Sequence, residues 1–183
     1  MNIEYETKII DIDAEEVEKK LIELGAKKTK DSLMRRWVFD WVDEDPEKIN
    51  EWIRLRDEGD KVTITYKNRN KDVSIDTQEI ETEVNNFDKM ALLLQQIPFK
   101  RKFYQENKRI VYELPEIEFM IDTWPKLKPH LEIEGKTKEK MEEGLELLGL
   151  KGKEQGDISV NQLYEEIGIH LHSIKKLKFE ETK

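Results

Sequence analysis

From Ile3 to Ile9 the chain alternates between two kinds of residue. Side chains along a β-strand point to opposite faces in turn. Ile3, Tyr5, Thr7 and Ile9 therefore share one face, and Glu4, Glu6 and Lys8 share the other. One such segment is an ordinary half-buried strand with a wet side. The constraint comes from repetition. Ile53 and Leu55 oppose Arg54 and Arg56, and Val62, Ile64 and Tyr66 oppose Thr63, Thr65 and Lys67. Ile80, Thr82 and Val84 oppose Glu79, Glu81 and Glu83. Ile117, Phe119 and Ile121 alternate with Glu118, Met120 and Asp122, and Leu131 and Ile133 with Glu132 and Glu134. A fold for this chain must bury one face of each strand and accommodate full charges on the other.

The remaining segments fit around these strands. Asp13 is expected to cap a helix running to about Gly25, with Val17, Leu21 and Leu24 as its apolar stripe. Arg35 to Val42 reads as a strand, with Trp37, Phe39 and Trp41 opposite Arg36, Val38 and Asp40. A polar loop at Asp43-Glu44-Asp45-Pro46 follows, a candidate lid. Glu58-Gly59-Asp60 reads as a tight turn, and Asn68 to Asp72 as another. Asn86 caps a helix to about Gln96 that buries Phe87, Met90, Leu93 and Leu94. Phe99–Tyr104 and Arg109–Leu114 are expected as a hairpin turning at Glu106-Asn107-Lys108. In it Lys100 and Lys102 share a face, and Arg101 lies outside with Phe99 and Phe103 unless a bulge intervenes. Thr137 caps a helix with Met141, Leu145 and Leu148, and Ser159 a short one with Leu163, Tyr164 and Ile167. The tail is basic and amphipathic.

A solvated sheet face would carry more Ser, Asn and Gln than these faces do. The charges are also segregated: acids on the first, fifth and last strands, bases on the third, the fourth and the expected hairpin. The expected fold is α+β, a single domain over residues 1–183. It is a closed eight-stranded antiparallel β-barrel, a tunnel with a charged lumen and helices packed outside.

The 183 residues suffice for one core. A net charge of −9 argues against a global nucleic-acid footprint. There is no cysteine, hence no disulfide and no thiolate ligand. The start has no basic and apolar signal pattern, and no apolar run has membrane-spanning length. The expectation is a cytoplasmic monomer or homodimer that engages neither nucleic acid nor membrane.

Acids and bases within one cavity suit a polyanion together with a cation. Arg54, Arg56, Lys67, Lys102 and Arg109 are candidates to wrap phosphate oxygens, the arginines by bidentate contacts. Glu4, Glu6, Asp122, Glu132 and Glu134 offer hard oxygens suited to Mg2+ or Mn2+. Together they are what metal-assisted phosphoryl chemistry requires. The bland reading of each is a salt bridge that balances charge, weightiest for Glu79 and Glu83. His130 shares the parity of Glu132 and either lines a tunnel mouth or, the favoured reading, lies at the surface near Pro129; His170 and His172 are expected as solvated side chains. Trp37 and Trp41 belong under a helix. Trp52 shares the parity of Arg54 and either stacks on a base or packs a strand end.

Glu4-x-Glu6-x-Lys8 resembles the ExExK signature of the CYTH superfamily, which contains class IV adenylyl cyclases, thiamine triphosphatases and other triphosphate tunnel metalloenzymes. Arg54-x-Arg56, Thr65-x-Lys67, Glu81-x-Glu83, Lys100-Arg101-Lys102, Arg109, Asp122 and Glu132-x-Glu134 follow in the family's order, over residues 3 to 135. The resemblance implies an eight-stranded tunnel, a triphosphate-containing small molecule and Mg2+ or Mn2+. In that picture Lys8, Arg54, Arg56, Lys67, Lys100, Lys102 and Arg109 hold the triphosphate. Glu4, Glu6, Asp122, Glu132 and Glu134 hold metal, and Glu4, Glu6 and Lys8 do the catalytic work. Three functions are compatible: a triphosphatase acting on tripolyphosphate, a nucleoside triphosphate or thiamine triphosphate; a class IV adenylyl cyclase; or a non-catalytic triphosphate-binding module. Hydrolysis is favoured because it needs no purine pocket.

Overall fold

In the computed structural model the described residues are 5–41, 51–69, 77–156 and 158–180. The elements are β1 (Tyr5–Ile9), α1 (Ala14–Glu23), β2 (Lys27–Trp41), β3 (Glu51–Asp57), β4 (Val62–Arg69), β5 (Thr77–Glu83) and α2 (Phe87–Leu94). There follow β6 (Phe99–Leu114), β7 (Ile117–Thr123), β8 (His130–Gly135), α3 (Lys138–Leu148), α4 (Val160–Glu166) and β9 (Lys176–Leu177). Glu4, the loop expected around Asp43 to Pro46, and most of the turn expected at Asn68 to Asp72 lie outside the described residues.

The chain forms two compact units, Met1–Ser32 with Asn107–Leu171 and Leu33–Glu106 with His172–Lys183. In the first unit β1, β8, β7 and the second half of β6 pair antiparallel in succession. Their apolar faces contribute Ile9, Phe119, Ile121, Leu131 and Ile133 to a core completed by Val17 and Leu21 of α1 and Leu145 and Leu148 of α3. Burying each such side chain is worth about 1.5–3 kcal/mol. Both helices start where the sequence places them. The Asp13 carboxylate accepts from the N–H groups of Glu15 and Glu16, and the Thr137 hydroxyl accepts from that of Lys140.

In the second unit β2, β3, β4 and β5 pair antiparallel. Phe39, Ile53 and Leu55 pack under Phe87, Ala91 and Leu94 of α2. β9 pairs parallel with the first half of β6, matching Tyr104 with Lys176 and Gln105 with Leu177. The tail is thus partly a strand.

The α+β class and antiparallel pairing agree with the sequence, but closure into an eight-stranded barrel does not. Among the described residues the sheet has nine strands in the order β1-β8-β7-β6-β2-β3-β4-β5, with β9 beside β6, and no pairing joins β1 to β5. The free edge of β1 is occupied differently. The Lys8 N–H donates to the Gly156 carbonyl at 3.0 Å, and the Lys8 carbonyl accepts from the Gln155 N–H at 2.8 Å.

Other expectations also shift. The hairpin expected at Glu106-Asn107-Lys108 is instead one strand of 16 residues, β6. Its polar centre finds partners: Tyr104 donates to Glu106, and Asn107 donates to Asp122. The Arg101 guanidinium lies 4.4 Å from the Trp37 ring centre, on the apolar side as expected. Tyr104 packs on the same ring, so the alternation slips once between these residues. β2 begins at Lys27, eight positions before the expected start at Arg35. Leu24, Leu93 and Ile167 are exposed, and Ala91 takes the buried place on α2.

Two glycines show how closely α3 packs. A Cβ on Gly135 would fall on the backbone of α3's first turn, 2.8 Å from the Thr137 oxygen and closer still to the Met141 nitrogen. A Cβ on Gly144 would meet side chains instead, Ile133 at 2.8 Å and Ile117 at 3.1 Å. Backbone cannot give as methyl groups can. Gly135→Ala is expected to destabilise by about 3 kcal/mol, the upper end for overpacking. Gly144→Ala should cost about 1 kcal/mol or less, because gained helix propensity offsets part of the clash. Urea unfolding of both variants checks the ranking; equal midpoints would refute it.

Candidate active site

On the first unit the charged strand faces form cross-strand rows. Glu6, Glu134, Glu118 and Glu113 are successive register partners in one row. Lys8, Glu132 and Met120 make the next, and His130, Asp122 and Arg109 the third. Lys8 is 7% exposed, and its ammonium sits 3.2 Å from Glu132 and 3.6 Å from Glu6. Arg109 offers its fork to Asp122, with Nε donating to Oδ1 at 2.9 Å and Nη2 to Oδ2 at 2.5 Å. Burial alone would lower the Arg109 pKa. The hydrogen bonds and charge of Asp122, helped by Glu132 and Glu118, outweigh it and raise the value. Asn107 Nδ2 also donates to Asp122 Oδ1, at 3.2 Å. Burial, then the charge of Glu113, pushes the Glu118 carboxyl up.

His130 is buried, not at the surface as expected. Its parity with Glu132 turns it onto the charged face, where Nε2 lies 3.8 Å from Asp122 Oδ2. Among the described residues no atom hydrogen-bonds either ring nitrogen. Burial lowers the imidazole pKa against the pull of Asp122 and Glu132. His170 is exposed.

On the second unit Arg54 and Arg56 share the polar face with Thr63, Thr65 and Lys67 of the paired strand. Lys67 Nζ lies 2.5 Å from Glu79. Arg54 Nη2 lies 3.3 Å from the Thr65 hydroxyl and 3.4 Å from Glu81, to which Thr65 donates at 2.6 Å. Arg56 Nη2 lies 2.5 Å from Glu58. Burial and then Arg56's charge lower the Arg54 pKa. Burial lowers that of Lys67, Arg54 and Arg56 adding to it against the pull of Glu79. Lys102 pairs with Asp40 at 2.7 Å, and Lys100 is exposed.

The expected site residues thus fall into two groups. Glu6, Lys8, Arg109, Asp122, Glu132 and Glu134 come together on the first unit, and Arg54, Arg56 and Lys67 on the second. Two partners went unread in the sequence. Glu58, taken for a turn residue, is buried and continues the parity of Arg54 and Arg56. Asn107, also taken for a turn, has the parity of Arg109 and is 1% exposed. Parity carried through the supposed turns is the signal that finds both.

The donors available for a metal are hard carboxylate oxygens, with no thiolate, which fits Mg2+ or Mn2+. Glu6, Glu132 and Glu134 are adjacent across β1 and β8. Among the described residues no three Asp, Glu, His or Cys side chains are grouped closely enough, as they stand, to hold a metal ion.

The model of the CYTH domain family matches residues 2–157. The candidate adenylate cyclase MJ0240 of Methanocaldococcus jannaschii is 31% identical over 133 residues, 72% of this chain and 76% of that protein. The PH1012 protein of Pyrococcus horikoshii OT3 superposes with a TM-score of 0.65 at 24% identity, over 88% of this chain and 99% of that one. A candidate adenylyl cyclase of Hippeastrum, HpAC1, described as having a dominant triphosphatase activity, gives a TM-score of 0.61 at 17% identity over 95% and 100%. At such identities the structural likeness establishes the fold.

Glu118 gives a pH test. Its folded pKa lies above the unfolded value of 4.5, so the folded state binds the proton more tightly. The associated stability is complete below 4.5 and is lost as pH rises through the folded pKa. In chelator, Glu118→Gln should remove that decline and melt higher than wild type at neutral pH. Parallel melting curves from pH 4 to pH 8 would refute the assignment.

Proposed function

The chain belongs to the CYTH domain family, and from that footing we propose that it is a divalent-metal-dependent triphosphatase. One observation carries the reading. Arg54, Arg56 and Lys67 lie side by side on two paired strands with side chains 17%, 20% and 16% exposed. Adjacent cations repel and lose hydration there, a cost that a dense polyanion offsets. Arginine meets two phosphate oxygens at once, and lysine meets one as a point charge.

Glu6, Glu132 and Glu134, with Glu4, would hold Mg2+ or Mn2+. Bound there, the ion supplies charge neutralisation on phosphoryl oxygens. Lys8 keeps Glu6 and Glu132 together at 3.6 Å and 3.2 Å and limits their mutual repulsion. Arg109 adds a second fixed cation. A carboxylate of this face takes a proton from the attacking water as its oxygen bonds to the terminal phosphorus. The bridging P–O bond breaks, and diphosphate or the nucleoside diphosphate leaves.

Trp52 favours a second reading, in which the triphosphate is attached to an aromatic group. It is the register partner of Lys67 on the same polar face, where a base can stack. Cyclisation of ATP would use the same cations with the ribose 3′-hydroxyl as nucleophile. Product analysis with ATP, tripolyphosphate and thiamine triphosphate in Mg2+ or Mn2+ decides. Orthophosphate is expected, and cyclic AMP with pyrophosphate would replace the first reading by the second. The complete sets of acids and bases make a non-catalytic binding module the least favoured function.

Arg56→Ala should cost on the order of 2–4 kcal/mol in kcat/KM, the scale of a lost preorganised charge contact. Arg56→Lys should recover part of it. Full activity of Arg56→Ala, with an unchanged ligand-induced shift in melting, would leave Arg56 a charge-balancing residue. Glu134→Gln should raise the metal concentration needed for half-maximal activity while leaving the metal-free melt nearly unchanged; a wild-type metal profile would remove Glu134 from the ligands.

A further inference from the structure

Asp122 stands apart from the other acids expected to hold metal. Its carboxylate is 3% exposed on the side-chain scale, and both oxygens are engaged. Oδ1 accepts from Arg109 Nε at 2.9 Å and from Asn107 Nδ2 at 3.2 Å. Oδ2 accepts from Arg109 Nη2 at 2.5 Å and lies 3.8 Å from His130 Nε2. A divalent ion on these oxygens would have to break the guanidinium fork and then sit beside the displaced positive charge. Glu6 and Glu134 are placed otherwise, as cross-strand partners beyond Lys8.

The geometry points to a different role: we propose that Asp122, braced by Asn107, positions the Arg109 guanidinium for a phosphate oxygen and is not a metal ligand. Arg109 remains 24% exposed with its other edge toward Met120, where Nη1 lies 3.0 Å from Sδ. Fixing Nε and Nη2 from one side sets the plane of the guanidinium, and Nη1, which donates one N–H to Met120 Sδ, has its second N–H to offer a phosphate oxygen. Arginine used this way loses little freedom on binding because its rotamer is already set. Sequence parity cannot separate this role from ligation, since both need a carboxylate on the charged face. The inference rests on the reading above only in requiring that a triphosphate and a metal bind this chain.

The test measures two dissociation constants by calorimetry on the full chain, for Mn2+ alone and for tripolyphosphate alone. Asp122→Asn puts an amide donor against the guanidinium fork. It should weaken tripolyphosphate about tenfold, the scale for losing a charge-assisted contact, and leave Mn2+ within about twofold. Glu134→Gln should do the reverse. In an Arg109→Gln background Asp122→Asn should have almost no further effect on tripolyphosphate, because both changes act through one guanidinium. If Asp122→Asn does not fold, Asn107→Ala carries the same test, with a smaller loss of tripolyphosphate affinity and unchanged Mn2+ binding. Loss of Mn2+ affinity in Asp122→Asn or Asn107→Ala matching that in Glu134→Gln would overturn the proposal. So would a full additional loss in the Arg109→Gln background. Wild type that binds both ligands but hydrolyses nothing would remove the triphosphatase reading and leave this inference to the two constants. Wild type that binds neither would overturn both.

Discussion

A charge withdrawn from water needs its opposite beside it, and that requirement organises both units. An isolated buried ion costs several kcal/mol even after relaxation. Lys8 meets Glu132 and Glu6, Arg109 meets Asp122, Arg54 meets Glu81, Lys67 meets Glu79 and Arg56 meets Glu58. Most of these pairs cross between strands, so they also fix register. Slipping β1 by one residue against β8 would turn Lys8 toward Leu21 and Leu145 and put Ile9 among carboxylates. Apolar burial and charge pairing therefore specify the same alignment, each penalising the error that the other penalises.

The pairs differ in how readily an incoming anion can break them. Glu79 and Glu81 have side chains 39% exposed, so a carboxylate displaced from Lys67 or Arg54 returns to water at little cost. Asp122, at 3%, has no such route. Displacing it would strand a buried carboxylate, which is the expensive outcome. The same chemical pair thus behaves as an exchangeable contact at Glu79 and Glu81 and as a fixed frame at Asp122, as also at Glu58, whose side chain is 8% exposed beside Arg56. Burial of the acid, more than distance, separates the two.

Strands with aliphatic alternation were legible because a period of two with Ile, Leu or Val on one face leaves no competing arrangement. β3, β4, β7 and β8 fall where that pattern puts them, and the caps Asp13, Asn86, Thr137 and Ser159 are all in place. The first half of β2 was not legible. Lys27 to Leu33 buries almost nothing, so no pattern marks it as strand. Glu106-Asn107-Lys108 looked like a turn because polar residues clustered there, and their partners, Tyr104, Asp122 and Phe179, are unrecognisable without the fold. Leu24, Leu93 and Ile167 have helical spacing yet stay exposed, since spacing gives a face but not the width of what covers it. The acids and bases of the candidate site were found by parity. Their division between exchangeable and fixed contacts depends on burial, which parity does not contain.

Closure was the largest departure, and it rests on what happens at strand edges. An open edge presents unpaired N–H and C=O groups and invites pairing with another chain. At β1 the backbone groups of Lys8 are taken by Gln155 and Gly156. This ties the strand bearing Glu6 and Lys8 to the segment after α3. At β5 the protection is chemical: Glu79, Glu81 and Glu83 place three carboxylates along seven residues, although Ile80 is 70% exposed. Two such carboxylates already serve Lys67 and Arg54. The acids that keep β5 from recruiting a neighbouring strand are therefore the acids that hold the cations in place. Neutralising them for the sake of tighter anion binding would leave β5 an uncharged edge strand, with Ile80 already exposed on it.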